Sequence, residues 1–134
     1  MGYEKTNLIP NSMNTLRNKV SLIGRIGQNI EMQKVGASKD YSLVKVPLAT
    51  NESYKDKNGQ WQDNTQWHNL VIWGKTAERM SNMITKGHEI MIEGRLVNKQ
   101  YEKDGEKRYS TDIEVTDFLL VSSKNTEKVE LEVI

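Results

Sequence analysis

No cysteine occurs in the 134 residues, which excludes a disulfide framework, a zinc ribbon and a thiol nucleophile. That absence suits a reducing compartment, and a cytoplasmic location is the expectation. Long apolar runs are missing as well. None approaches the length that crosses a membrane, and the first dozen residues lack the apolar stretch of a signal peptide, so no membrane partner is expected. Only two histidines are present, His68 and His88, each in or at the start of an expected strand and neither within a metal or nucleophile motif. The acidic residues are scattered among turns and solvent faces rather than clustered. A metal site, a cofactor and a catalytic constellation are therefore not expected, and both histidines read as structural.

One near-motif fails on spacing. Trp73-Gly74-Lys75-Thr76 follows a strand and opens a helix, like the end of a phosphate-binding loop, but the full motif needs a glycine five positions before Gly74, where Asn69 stands. Nucleotide hydrolysis is not expected. Strong charge of either sign is also lacking, with Lys+Arg 19 against Asp+Glu 18 and a net charge of +1. Proteins held on nucleic acid mainly through phosphates show a clear basic excess, so charge by itself does not point there.

What the chain does contain is the mixture of a folded domain, 36% hydrophobic and 28% charged with both signs interspersed. Its length fits one domain. Residues 1–12 show no periodicity and read as a flexible arm or added leader, Met13 offering a second plausible start. Residues 13–123 are the expected domain, and 124–134 a short tail. In NKVSLIGRIG (18–27), Val20, Leu22 and Ile26 share one face and Ser21 and Arg25 the other, with glycines at 24 and 27 where a bent strand could kink. SLVKVPLATNESY (42–54) puts Val44, Val46, Leu48 and Thr50 on one face, and Pro47 suggests an edge or bulge. Asn58-Gly59 then signals a hairpin turn, returning as the strand 65–73. A helix is predicted over 75–87, with Ala77, Met80 and Ile84 on its apolar side, Thr76 as a possible N-cap and Gly87 as its stop. Two long strands follow, 88–101 and 108–121, joined by EKDGEK. The fold class is all-β with one short helix. Five strands with the helix between the third and fourth is the order of the OB-fold, a five-stranded Greek-key barrel whose face and loops commonly bind oligonucleotides.

Function is argued from the aromatics. Alternation along 65–73 sends Trp67, Asn69, Val71 and Trp73 one way and His68, Leu70 and Ile72 the other. Both sides cannot line one small core, so a second dry surface is implied, either a binding face or a subunit interface. Tyr54 ends the preceding strand, Trp61 sits near the hairpin tip, and Tyr101 shares parity with Arg95, Val97 and Lys99. Cations lie close by, among them Lys55, Lys57, Lys75, Lys99 and Lys103, and Arg25 is a further candidate contact. Flat rings separated by Lys and Arg are what sequence-tolerant single-strand binding requires, since every base offers a π-face and the cations track the phosphates. Partly buried core tryptophans are the competing reading, and a solvated mixed-charge loop is the competing reading for the lysines near 99–108, where Glu102, Asp104 and Glu106 alternate with them.

Four blocks, NKVSLIGRIGQ (18–28), VPLATNESYKDKNG (46–59), TQWHNLVIWGKTAE (65–78) and KGHEIMIEGRL (86–96), resemble in order and spacing the signature blocks of the bacterial single-stranded DNA-binding protein family. The resemblance covers about residues 13–123. It implies base stacking at the positions of Tyr54, Trp67, Trp73 and Tyr101, a subunit contact at His68 and a homotetramer acting in replication, recombination and repair. Asn69 stands where the family commonly has a basic residue, and Trp61 is an addition to its pattern. Replication and repair proteins are the partners the resemblance implies, but the family's linker and acidic, Pro-Phe-ending tip do not appear, the sequence closing on EKVELEVI. Two other readings remain open: a primosome-type OB-fold adaptor acting mainly through protein contacts, and an OB domain for structured RNA.

Overall fold

Alternating apolar side chains close a small barrel, and two long hairpins run beyond it. The computed structural model describes residues 16–123; the expected leader at 1–12 and tail at 124–134 lie outside them. Six strands and a helix follow in the order β1 (Val20–Ile26), β2 (Met32–Val35), β3 (Tyr41–Lys55), β4 (Trp61–Trp73), α1 (Gly74–Met83), β5 (Glu89–Lys103) and β6 (Glu106–Ser122). β1 pairs antiparallel with β5, β5 with β6 and β3 with β4, while β4 runs parallel to β6. The ring closes where the end of β1 meets β3, Arg25 opposite Ala49 and Ile26 opposite Leu48. This is the five-stranded OB barrel that the element order predicts.

The faces fall as alternation requires. Val44, Val46 and Leu48 of β3, Leu70 and Ile72 of β4, Ile90 and Ile92 of β5, and Ile113 and Val115 of β6 are buried together, and α1 covers them with Ala77 and Met80. Pro47 is not on an edge strand: it stands opposite Asn69 of β4. Its carbonyl accepts from the N–H of Gly27 at 2.9 Å, so its nitrogen faces the stretch of that side between the β2 and β1 pairings, where no ladder donor is needed.

Several local expectations are corrected. The strand β2 was not foreseen, because four mostly exposed residues carry no alternation to read. The helix is shorter than 75–87, and Thr76 lies inside it; Trp73 occupies the N-cap position with no side-chain cap bond. The helix stops at Met83 because Ile84 turns extended and drives its side chain into the core. Gly87 is not the helix stop; at φ 90° it donates its N–H to Ile26 O at 2.8 Å, fastening the connection to β5 onto the end of β1. The turn within EKDGEK narrows to Asp104-Gly105, both at positive φ (56° and 79°), the two-residue geometry that matches strand twist.

Candidate nucleic-acid interface

The aromatic surface lies on the outside of β3, β4, β6 and β5. Cross-strand register places Pro47, Asn69, Asp112 and Val97 in one row across these strands, and Lys45, Val71, Glu114 and Arg95 in the next. Trp67 and Trp73 flank these rows on β4, 62% and 43% exposed, while Leu70 and Ile72 on the reverse of the same strand are buried. The core reading of the two tryptophans is thereby excluded. Between them lies a shallow depression of about 420 Å³ lined by Gln28, Lys45, Pro47, Asn69 and Asp112. Tyr101 extends the same face along β5, beside Lys99 and opposite Arg108 of β6.

Each ring is held differently. The six-membered edge of Trp67 lies against the backbone of Gly27, where a built Cβ would come within 2.5 Å of it, and beside Pro47. Trp73 ends β4, and α1 begins at the next residue; Lys75 is exposed in the first turn of that helix, which has no acidic residue. The helix N-terminus and Lys75 together make the surroundings of Trp73 favourable for an anion. Trp61 is the first residue of β4 and has the parity of Trp67 and Trp73. Lys55, its cross-strand partner, places its ammonium 5.4 Å from the Trp61 ring centroid.

Tyr54 does not join this face. It stands opposite Gln62, on the parity of Val44 and Leu48, so it is exposed on the reverse side of the β3–β4 arm. Arg25 shares a row with Ala49 and Trp67, and its guanidinium donates to Gly87 O at 2.9 Å. Arg95 and Lys99 are ion-paired along the platform, Arg95 Nε to Glu114 at 3.2 Å and Lys99 Nζ to Asp112 at 3.3 Å. The cationic ends of both pairs are about half-exposed, whereas the Asp112 and Glu114 carboxylates that hold them are partly covered. His68 is half-buried, with Nε2 2.9 Å from Thr50 Oγ1.

Several features of the surface escaped the sequence reading. Tyr41 is exposed on the parity of Leu43, the cross-strand partner of Trp73; starting the strand one residue earlier would have found it. Asp56 organises the arm's turn, accepting from the backbone N–H groups of Asn58 and Gln60 at 2.9 Å each and from Gln62 Nε2 at 3.1 Å. Those donors, the Gln60 N–H foremost, hold its carboxyl below the usual carboxylate range. Gly27 gave no signal of its role beneath Trp67. Among the described residues no group of three His, Asp or Glu side chains could hold a metal ion.

The description of the matching family model is the single-strand binding protein family, and it spans residues 17–121. The chain is 39% identical over 111 residues to "Single-stranded DNA-binding protein 1" of Chlorobaculum tepidum, covering 81% of this chain and 67% of that one. A crystal structure of a deletion mutant of the single-stranded DNA binding protein from Thermus aquaticus is similar at TM-score 0.69 and 27% identity, over 81% of this chain and 52% of that chain. The present chain thus spans about half of that Thermus aquaticus chain. A Plasmodium falciparum SSB in complex with ssDNA shares the fold at TM-score 0.66 and 23% identity, over 79% of this chain and 94% of that one. The family model takes in β1 to β5, the helix and β6 up to its last residue, and the chain belongs to the single-strand binding protein family.

Proposed function

We propose that this protein binds single-stranded DNA without reading its sequence and protects it during replication, recombination and repair, in the cytoplasm and with no catalytic step. One observation carries the reading: Trp67 and Trp73 are exposed on one face of a strand whose other face is core. Indoles kept in water on a rigid sheet are stacking platforms for bases, each worth about 1–3 kcal/mol. Lys55, Lys75, Arg95 and Lys99 supply phosphate contacts, and Tyr101 extends the path. Tyr54, on the reverse of the arm, serves a strand that wraps around the arm's edge. Arg25 lies on the row of Trp67 and adds positive charge beside that ring.

Titrating poly(dT) while following tryptophan fluorescence tests this directly. Strong quenching is expected, and Trp73→Ala should weaken binding by about 1–3 kcal/mol with little change in unfolding midpoint. A protein adaptor with idle indoles would show almost no quenching, and a reader of structured RNA would prefer folded RNA over poly(dT).

The same proposal includes self-assembly, with a tetramer as the expected form and His68 near a subunit contact. The outer side of β4 is occupied by the aromatic platform, so the supporting surface lies elsewhere. Ile23, Met91 and Leu119 form one exposed apolar row across β1, β5 and β6, extended by Val121. A continuous apolar patch of this kind on a soluble barrel suits burial against a second copy. Light scattering should return a multiple of the 15.4 kDa chain mass, and Met91→Glu should lower it; a monomer mass for the unaltered protein would contradict the assembly.

A further inference from the structure

Three tryptophans stand on one face of β4 at intervals of six residues: Trp61, Trp67 and Trp73. At the rise of a β-strand each interval is about 20 Å. The inner pair belongs to the platform already described. Trp61 lies out on the β3–β4 arm, 68% exposed, with no core to join.

We infer that Trp61 and Lys55 form a third base-stacking station, which lengthens the stretch of single strand that one subunit holds by carrying it out along the arm. The inference rests on the single-strand reading of the platform. Neighbours of Trp61 on that face are polar, Ser53 bonded to Asp63 at 2.9 Å and Asn51 bonded to Thr65 at 2.7 Å. A protein-binding anchor would sit within an apolar surround; a base needs only a π-face with a cation beside it, which is what Trp61 and Lys55 present. The arm end is also held in place. Asp56 N–H donates to Gln60 O at 2.9 Å, and the Asp56 carboxylate ties down Asn58, Gln60 and Gln62 immediately around Trp61. A turn whose backbone is already held has less freedom to lose when a base stacks on the ring it carries. At the stacked rise of about 3.4 Å per nucleotide, a 20 Å interval corresponds to at most about six nucleotides, fewer when the strand is extended.

The test is a series of labelled oligo(dT) strands, from about five to about twenty nucleotides, spanning the site sizes of a single OB fold. Each is titrated by anisotropy against the full chain and its Trp61→Ala, Trp61→Leu and Trp61→Phe variants. Short strands, satisfied by the Trp67–Trp73 interval, should bind all four proteins alike. Long strands should bind Trp61→Ala and Trp61→Leu about 5- to 150-fold more weakly, the loss of one stacked base, with Trp61→Phe largely rescuing. Length-independent weakening, no weakening at any length, or rescue by leucine as good as by phenylalanine would each overturn the third station. Trp73→Ala, run alongside, should weaken every length. If it too has no effect, the platform itself fails rather than its extension.

Discussion

Replacing Ile72 with alanine should cost about 2–5 kcal/mol of folding stability while the folded fraction keeps its affinity for poly(dT). Ile72 is fully buried, opposite Val44 on β3 and Val115 on β6, in the layer that α1 covers with Ala77 and Met80. Removing three carbons there leaves a cavity that the closed ring of strands cannot collapse to fill, because every neighbour is fixed by its own ladder. The residues on either side of Ile72, Val71 and Trp73, belong to the other face of the strand. Their positions are set by backbone pairing, which the truncation leaves intact. Chemical unfolding measures the first quantity, and fluorescence titration well below the transition measures the second. Loss of affinity in the folded fraction comparable to that of Trp73→Ala would mean that the two faces of β4 are not separable.

That separation was legible in the sequence because period-two alternation needs no partner to be read. Val44, Val46 and Leu48, like Leu70 and Ile72, are named by parity alone, and their burial follows. Parity also held the information that was overlooked. Tyr54 lies on the count of Val44 and Leu48, so its place on the reverse of the arm was readable once the strand was known to run unbroken to Lys55. The ion pairs of Arg95 and Lys99 were partly readable too. A two-residue turn at Asp104-Gly105 sets Lys103 opposite Glu106 and thereby Lys99 opposite Ser110 and Arg95 opposite Glu114. What no local pattern could supply is contact between distant segments. β2 owes its existence to pairing with β3 rather than to its own four residues, and the contact between Gly27 and Trp67 joins positions forty residues apart.

Those distant contacts separate two glycines that look alike in sequence. Gly94→Ala should destabilise the barrel by about 3 kcal/mol or more, at the upper end of what overpacking costs, whereas Gly27→Ala should leave stability nearly unchanged and weaken DNA binding. At Gly94 a built Cβ lies 2.3 Å from Glu114 O and 3.0 Å from Glu114 C, both backbone atoms of the paired strand. Neither can move without pulling β6 away from β5, at the point where the register between these strands already shifts. At Gly27 the obstruction is the far edge of the Trp67 ring, at 2.5 Å and 3.0 Å, with Pro47 Cγ at 3.3 Å. An indole on an exposed face can swing aside by rotating about its side-chain bonds, so the strain is relieved by misplacing the ring and not by opening the sheet. The loss of affinity should be comparable to that of Trp67→Ala, about 1–3 kcal/mol, since the ring is moved off its stacking position. In the double variant Gly27→Ala with Trp67→Ala the glycine substitution should then add almost nothing, because the atom it strikes is gone. Additive losses in that double variant would show that Gly27 acts on DNA by some route other than the tryptophan above it.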